Sequence, residues 1–117
     1  MAARFWGVSR VPGRTQLTLI PASFSSAARP SVRVMTASKA AVITLTEGLA
    51  AELKEAGVNV NCVLPGTLDT PQNRAAMPDQ DFNRWVPTAA LADVILFLAS
   101  DASRCVTGAA IPVYGRS

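Results

Sequence analysis

The chain has 117 residues, half of them hydrophobic, 16% charged and only 6% aromatic, with a formal charge of +3 and no histidine. That length suits one domain with a single modest core, burying roughly two thirds of the surface the unfolded chain exposes. Without histidine, Ser-His-Asp and Cys-His nucleophile systems and the usual zinc ligand sets are excluded.

The charge is unevenly spread. Residues 1–46 carry Arg4, Arg10, Arg14, Arg29, Arg33 and Lys39 with no acid, and the remainder is net acidic. An Arg- and Ser-rich, acid-free beginning is the composition of a mitochondrial transit peptide; the preferred expectation is an atypical or truncated basic N-terminus. No aromatic interleaving or dense Lys/Arg run accompanies it, so no nucleic-acid surface is expected. No apolar run approaches a membrane span and no signal peptide is legible, so the expected state is soluble and cytoplasmic, with mitochondrial import as the alternative. Cys62 and Cys105 are two isolated cysteines, expected to remain free thiols.

In chain order, residues 1–14 contain Gly7, Pro12 and Gly13 without a sustained period and are expected to form a loosely ordered leader, the domain proper being 15–117. Thr15 to Ile20 alternates, with Leu17 and Leu19 on one face, and predicts a short strand before Pro21. Residues 21–34 read as a loop. From Thr36 to Ala56, Val42, Leu45, Leu49 and Leu53 recur at helical spacing and Gly57 follows as a stop. That stripe is a core face or a homo-oligomer interface. Val58, Val60, Cys62 and Leu64 alternate with polar and apolar partners and predict a strand ending at Pro65-Gly66.

Residues 67–87, with Pro71, Pro78 and Pro87, read as an irregular excursion; Leu91, Val94, Ile95 and Leu98 then mark a second amphipathic helix. A last strand is predicted over Ala109 to Tyr114, where Pro112 favours a sheet edge because it lacks an amide donor. The order is that of an α/β fold with parallel strands joined by right-handed crossovers.

Four stretches, taken together, resemble the second half of the short-chain dehydrogenase/reductase family. Met35-Thr36-Ala37-Ser38-Lys39-Ala40-Ala41-Val42 is similar to its Tyr-x-x-x-Lys helix, with methionine in place of tyrosine. Val60-Asn61-Cys62-Val63-Leu64-Pro65-Gly66 resembles Val-Asn-x-x-x-Pro-Gly, and Thr67 to Thr70 occupies the following loop. Phe97-Leu98-Ala99-Ser100-Asp101-Ala102, then Val106-Thr107-Gly108, resembles the closing helix and strand. Residues 64–85 look in particular like the dihydropteridine reductase branch.

The resemblance implies a partial Rossmann-like, doubly wound parallel sheet and ancestral hydride transfer from NAD or NADP to a carbonyl or quinonoid substrate. It implies that Lys39 is the catalytic lysine and contacts the cofactor ribose, with Pro65, Gly66, Thr67, Leu68 and Thr70 facing the nicotinamide and pyrophosphate. The family's proton-donating tyrosine falls at Met35, whose thioether has no proton to give, and its serine at Ala22. Ser23, Ser25 and Ser26 are out of register. The glycines stand at 7, 13, 48, 57, 66, 108 and 115, and no set of them forms the Gly-rich turn of a dinucleotide-binding βαβ unit.

Read as residues alone, Lys39 is a solvated lysine on an exposed helix face, and Asn59 and Asn61 serve the sheet surface and turn. Asp69, Asp79 and Asp81 are not spaced as a metal site. Tyr114, the sole tyrosine, stands at the far end of the last strand and is set aside as a substitute acid. The expected function is a truncated or divergent oxidoreductase, weakly active or inactive by itself. The alternatives are a non-catalytic interaction module, held through helix 36–56 or an open sheet edge, and a gene fragment without function.

Overall fold

The computed structural model describes residues 6–11, 14–19 and 32–116, with side chains from Thr15 to Leu19 and from Ala37 onward. Residues 20–31, with Ala22, Ser23, Ser25 and Ser26 and most of the loop expected at 21–34, lie outside the described residues, as does the Met35 side chain.

Among the described residues, six strands and three helices follow in the order β1 (Trp6–Val11), β2 (Arg14–Leu19), α1 (Val32–Leu53), β3 (Val58–Pro65), β4 (Leu68–Asp69), α2 (Pro71–Ala76), β5 (Val86–Pro87), α3 (Thr88–Leu98) and β6 (Ala110–Val113). The main sheet runs β1-β2-β3-β6. β2 pairs in parallel with β3, and β3 with β6, as expected for an α/β chain. At 6–11 the structure departs from the expected loosely ordered leader. β1 pairs antiparallel with β2, Val11 opposite Arg14, so only Pro12 and Gly13 separate the strands. A Pro-Gly dipeptide is a turn signal, but Gly7 and the adjacent Arg10-Val11 hide the alternation that would have marked a strand.

The core lies on both faces of β3, because successive residues of a strand point to opposite sides. Leu19, Cys62 and Leu64 pack on one face with Val42 and Ile43 of α1; Val63 packs on the other with Leu91 and Leu98 of α3. This arrangement corrects one expectation. β2 and β6 flank β3 on opposite sides, so both crossovers step the same way across the sheet, yet their helices lie on opposite faces. The two crossovers therefore have opposite hands and cannot both be right-handed. The right-handed rule rests on a strand feeding directly into a helix that packs back on the sheet. Here residues 66–87 intervene between β3 and α3 and carry the chain to the other face.

α1 begins at Val32, earlier than predicted, and a tight turn over Lys54–Ala56 continues it to Gly57, whose φ of 71° supplies the left-handed stop. Its buried positions are Thr46 and Ala50, with Val42 and Ile43 beside them, whereas Leu45 is 50% exposed. The inward face is thus rotated from the predicted stripe. Thr46 is tolerated inside because its hydroxyl donates to the Val42 carbonyl one turn back at 2.7 Å. Pro112 falls in the edge strand β6, as its missing amide requires. No helix among the described residues is long and apolar enough to cross a membrane.

Candidate functional site at the strand ends

In a βαβ unit the helix runs against the strands, so its first turns lie beside the strands' C-terminal ends. α1 therefore brings Lys39 to the edge of the sheet where β3 and β6 finish. At 100° per residue, Lys39 falls on the same face as Ile43, Thr46 and Ala50, the inward face of the helix. Lys39 is accordingly half-buried.

β3 ends at Leu64-Pro65, and Gly66 N–H donates to the Val113 carbonyl at 2.9 Å, tying the two strand ends together. Thr67 accepts from Val86 N–H at 2.8 Å, which closes the excursion back onto its own start. The ends of β3 and β6 are aligned by the lead-in to β6. Asn61, 1% exposed, donates from Nδ2 to the Val106 carbonyl and accepts from Ala109 N–H through Oδ1, both at 3.0 Å. Val60 N–H donates to Thr107 Oγ1 at 3.1 Å, and Asn59 Nδ2 to the Arg104 carbonyl at 3.1 Å. Asn59 and Asn61 thus hold the lead-in to β6 in register.

The segment 67–87 is more ordered than expected. β4 and β5 pair in parallel, and between them Thr70 caps α2, its Oγ1 accepting from Asn73 N–H at 3.2 Å, with Pro71 at the first helical position. Asp69 accepts from Arg74 Nε at 2.5 Å and from Arg74 Nη2 at 2.7 Å. The charge-assisted bond from Arg74 lowers the Asp69 carboxyl from its ordinary value and raises Arg74. The Arg74 guanidinium also lies 4.8 Å from the centre of the Phe82 ring, which meets Trp85 edge-on at 4.8 Å. Asp81 accepts from Asn83 N–H at 3.1 Å.

Of the residues predicted for the site, Lys39, Pro65, Gly66 and Thr67 share one strand-end region. Leu68 packs on the α3-side core and Thr70 caps α2. One member went unrecognised in the sequence. Tyr114 carries its ring 5.9 Å from Lys39 Nζ. The far end of the last strand is the C-terminal end of a parallel sheet, hence the same edge as the start of α1. Period two from Ala110, which packs on the α1 side, through Pro112 to Tyr114 was the available signal.

The family model described as enoyl-(acyl carrier protein) reductase matches residues 14–115. Dehydrogenase/reductase SDR family member 6 of Danio rerio is 38% identical over 96 residues, covering 70% of this chain and 39% of the relative. A solved short chain dehydrogenase/reductase family protein superposes with a TM-score of 0.72 at 33% identity, over 89% of this chain and 46% of that one. The 3-ketoacyl-(acyl-carrier-protein) reductase of Brucella melitensis, solved in complex with NADH, gives 0.67 at 26% identity, over 89% and 45%. The chain spans less than half the length of these relatives. Sequence order, parallel topology and strand-end geometry agree with these similarities, and the chain belongs to the short-chain dehydrogenase/reductase family.

Proposed function

We propose that this chain carries the nicotinamide-facing half of a short-chain oxidoreductase site and is a truncated or divergent NAD(P)-dependent member, weakly active or inactive by itself. The observation that supports this reading is the delivery of Lys39 by the inward face of α1 to the ends of β3 and β6. There an ammonium with three donors stands ready for ribose hydroxyls or other acceptors, next to the backbone turn at Pro65, Gly66 and Thr67.

The fit to the whole cofactor is partial. Among the described residues no strand passes through a Gly-rich turn into a helix, the unit that holds a pyrophosphate in this fold. The nicotinamide, when bound, supplies a hydride; this chain supplies the lysine and the strand-end wall. With Met35 in the tyrosine position the phenol contribution, roughly 10²–10⁴-fold for a positioned general acid, is missing.

Titration of the chain with NADH, followed by cofactor fluorescence, tests the reading. Weak saturable binding that Lys39→Ala abolishes is expected; no saturation at millimolar cofactor rejects it. A second reading, a homo-oligomeric interaction module, draws on Leu45, which stands half-exposed on the outward side of helix 36–56. It predicts an oligomer in sizing that Leu45→Lys dissociates; an unaltered elution volume rejects it.

A further inference from the structure

We infer that Tyr114 is the positioning residue for Lys39, the aromatic rest that keeps its ammonium at the strand ends. Three observations converge on it. The helix places Lys39 on the inward line of Ile43, Thr46 and Ala50, so the side chain leaves α1 toward the sheet. The alternation of β6 puts Tyr114 on the same side of the sheet as α1, one residue beyond the strand. The bond from Gly66 N–H to the Val113 carbonyl then fixes the residue before Tyr114 against the β3 turn.

The result is Nζ 5.9 Å from the ring centre, within the range where the negative face of an aromatic ring attracts a cation. Such a contact uses the ring face and leaves the ammonium hydrogens available to an incoming acceptor. A lysine on a four-carbon stem otherwise spreads over many rotamers. Holding it in one region enriches the competent orientation by about two- to fivefold at a partly solvated site. Tyr114 is 44% exposed and Lys39 half-buried, so the pair lies at the mouth of the site, where a ligand arrives.

The inference rests on the proposed function for its purpose, but its test uses the chain without cofactor. Proton NMR of the Lys39 ε-methylene reports the ring directly through its ring-current shift, and the rate of Lys39 labelling by an amine-reactive reagent reports its freedom. In the unaltered chain the methylene is expected upfield of its random-coil position. Tyr114→Phe, which keeps the ring, should preserve the shift and the labelling rate. Tyr114→Ala should remove the shift and raise labelling about two- to fivefold, with far-UV circular dichroism unchanged. A random-coil methylene shift in the unaltered chain overturns the inference, as does a Tyr114→Phe variant that behaves like Tyr114→Ala. Failure of NADH to bind while the ring-current pattern holds would instead count against the proposed function alone.

Discussion

Replacing Asn61 by alanine should destabilise the chain by about 2–5 kcal/mol, and the structure says where each part of that arises. The side chain is buried and bridges β3 to the lead-in of β6 by two hydrogen bonds, to the Val106 carbonyl and from Ala109 N–H. Two net bonds contribute about 1 kcal/mol each. Alanine also strands the Ala109 amide beside the sheet, and a buried unsatisfied donor adds about 1–3 kcal/mol unless water reaches it. Against a total of about 5–15 kcal/mol for a domain of this size, the loss is large. Asn59 supplies the internal control, since it lies on the same face two residues earlier and makes one exposed bond to Arg104. Asn59→Ala should lose less than about 1 kcal/mol. Urea unfolding followed by circular dichroism would read both as shifts in midpoint at an unchanged slope. Equal losses for the two variants, or a midpoint for Asn61→Ala indistinguishable from the unaltered chain, would refute the bridging argument.

Gly108 has φ +74°, and an added Cβ would stand 3.5 Å from Ala50 Cβ, so space is adequate and backbone strain decides. Gly108→Ala should destabilise by about 1–2 kcal/mol, whereas Gly48→Ala, in a helix with nothing within 4 Å of the added methyl, should stabilise by about 0.5–1 kcal/mol; thermal melts of the pair check the opposite signs. Asp69 has a lowered carboxyl, so its pairing with Arg74 favours the fold above the ordinary carboxylate value, and that contribution fades as pH falls through the lowered one. Arg74→Gln should raise the Asp69 titration midpoint in carboxyl-carbon NMR and leave stability at the acid end unchanged; added salt should weaken the effect, because the pair is exposed. Cys105 is exposed and Cys62 buried, so a thiol reagent should modify Cys105 at once and Cys62 only on unfolding; simultaneous reaction of both would contradict the β3 core.

The helix through Lys39, the β3 strand and the α3 stripe were legible because each has its own hydrophobic period, and the first two also end at a Gly or Pro-Gly stop. β1 was not, since it exists by pairing with β2 and Gly7 and Arg10-Val11 mask its alternation. The inward face of α1 was misjudged for a related reason. Leu45 and Leu49 look more apolar than Thr46 and Ala50, but close approach of helix to sheet favours the small residues, and Thr46 satisfies its hydroxyl locally. The order of the excursion at 67–87 is not legible in sequence because it comes from caps, one ion pair and the short β4–β5 pairing, signals shorter than any hydrophobic period.

By itself the sequence determined the family, the parallel α/β order and the edge position of Pro112. These are local matters, set by residue type, spacing and chain order. Only the tertiary structure decided the opposite hands of the two crossovers and the meeting of Tyr114 with Lys39. Both depend on which face of the sheet each helix takes, and that is set by how β3 shares its two sides between α1 and α3.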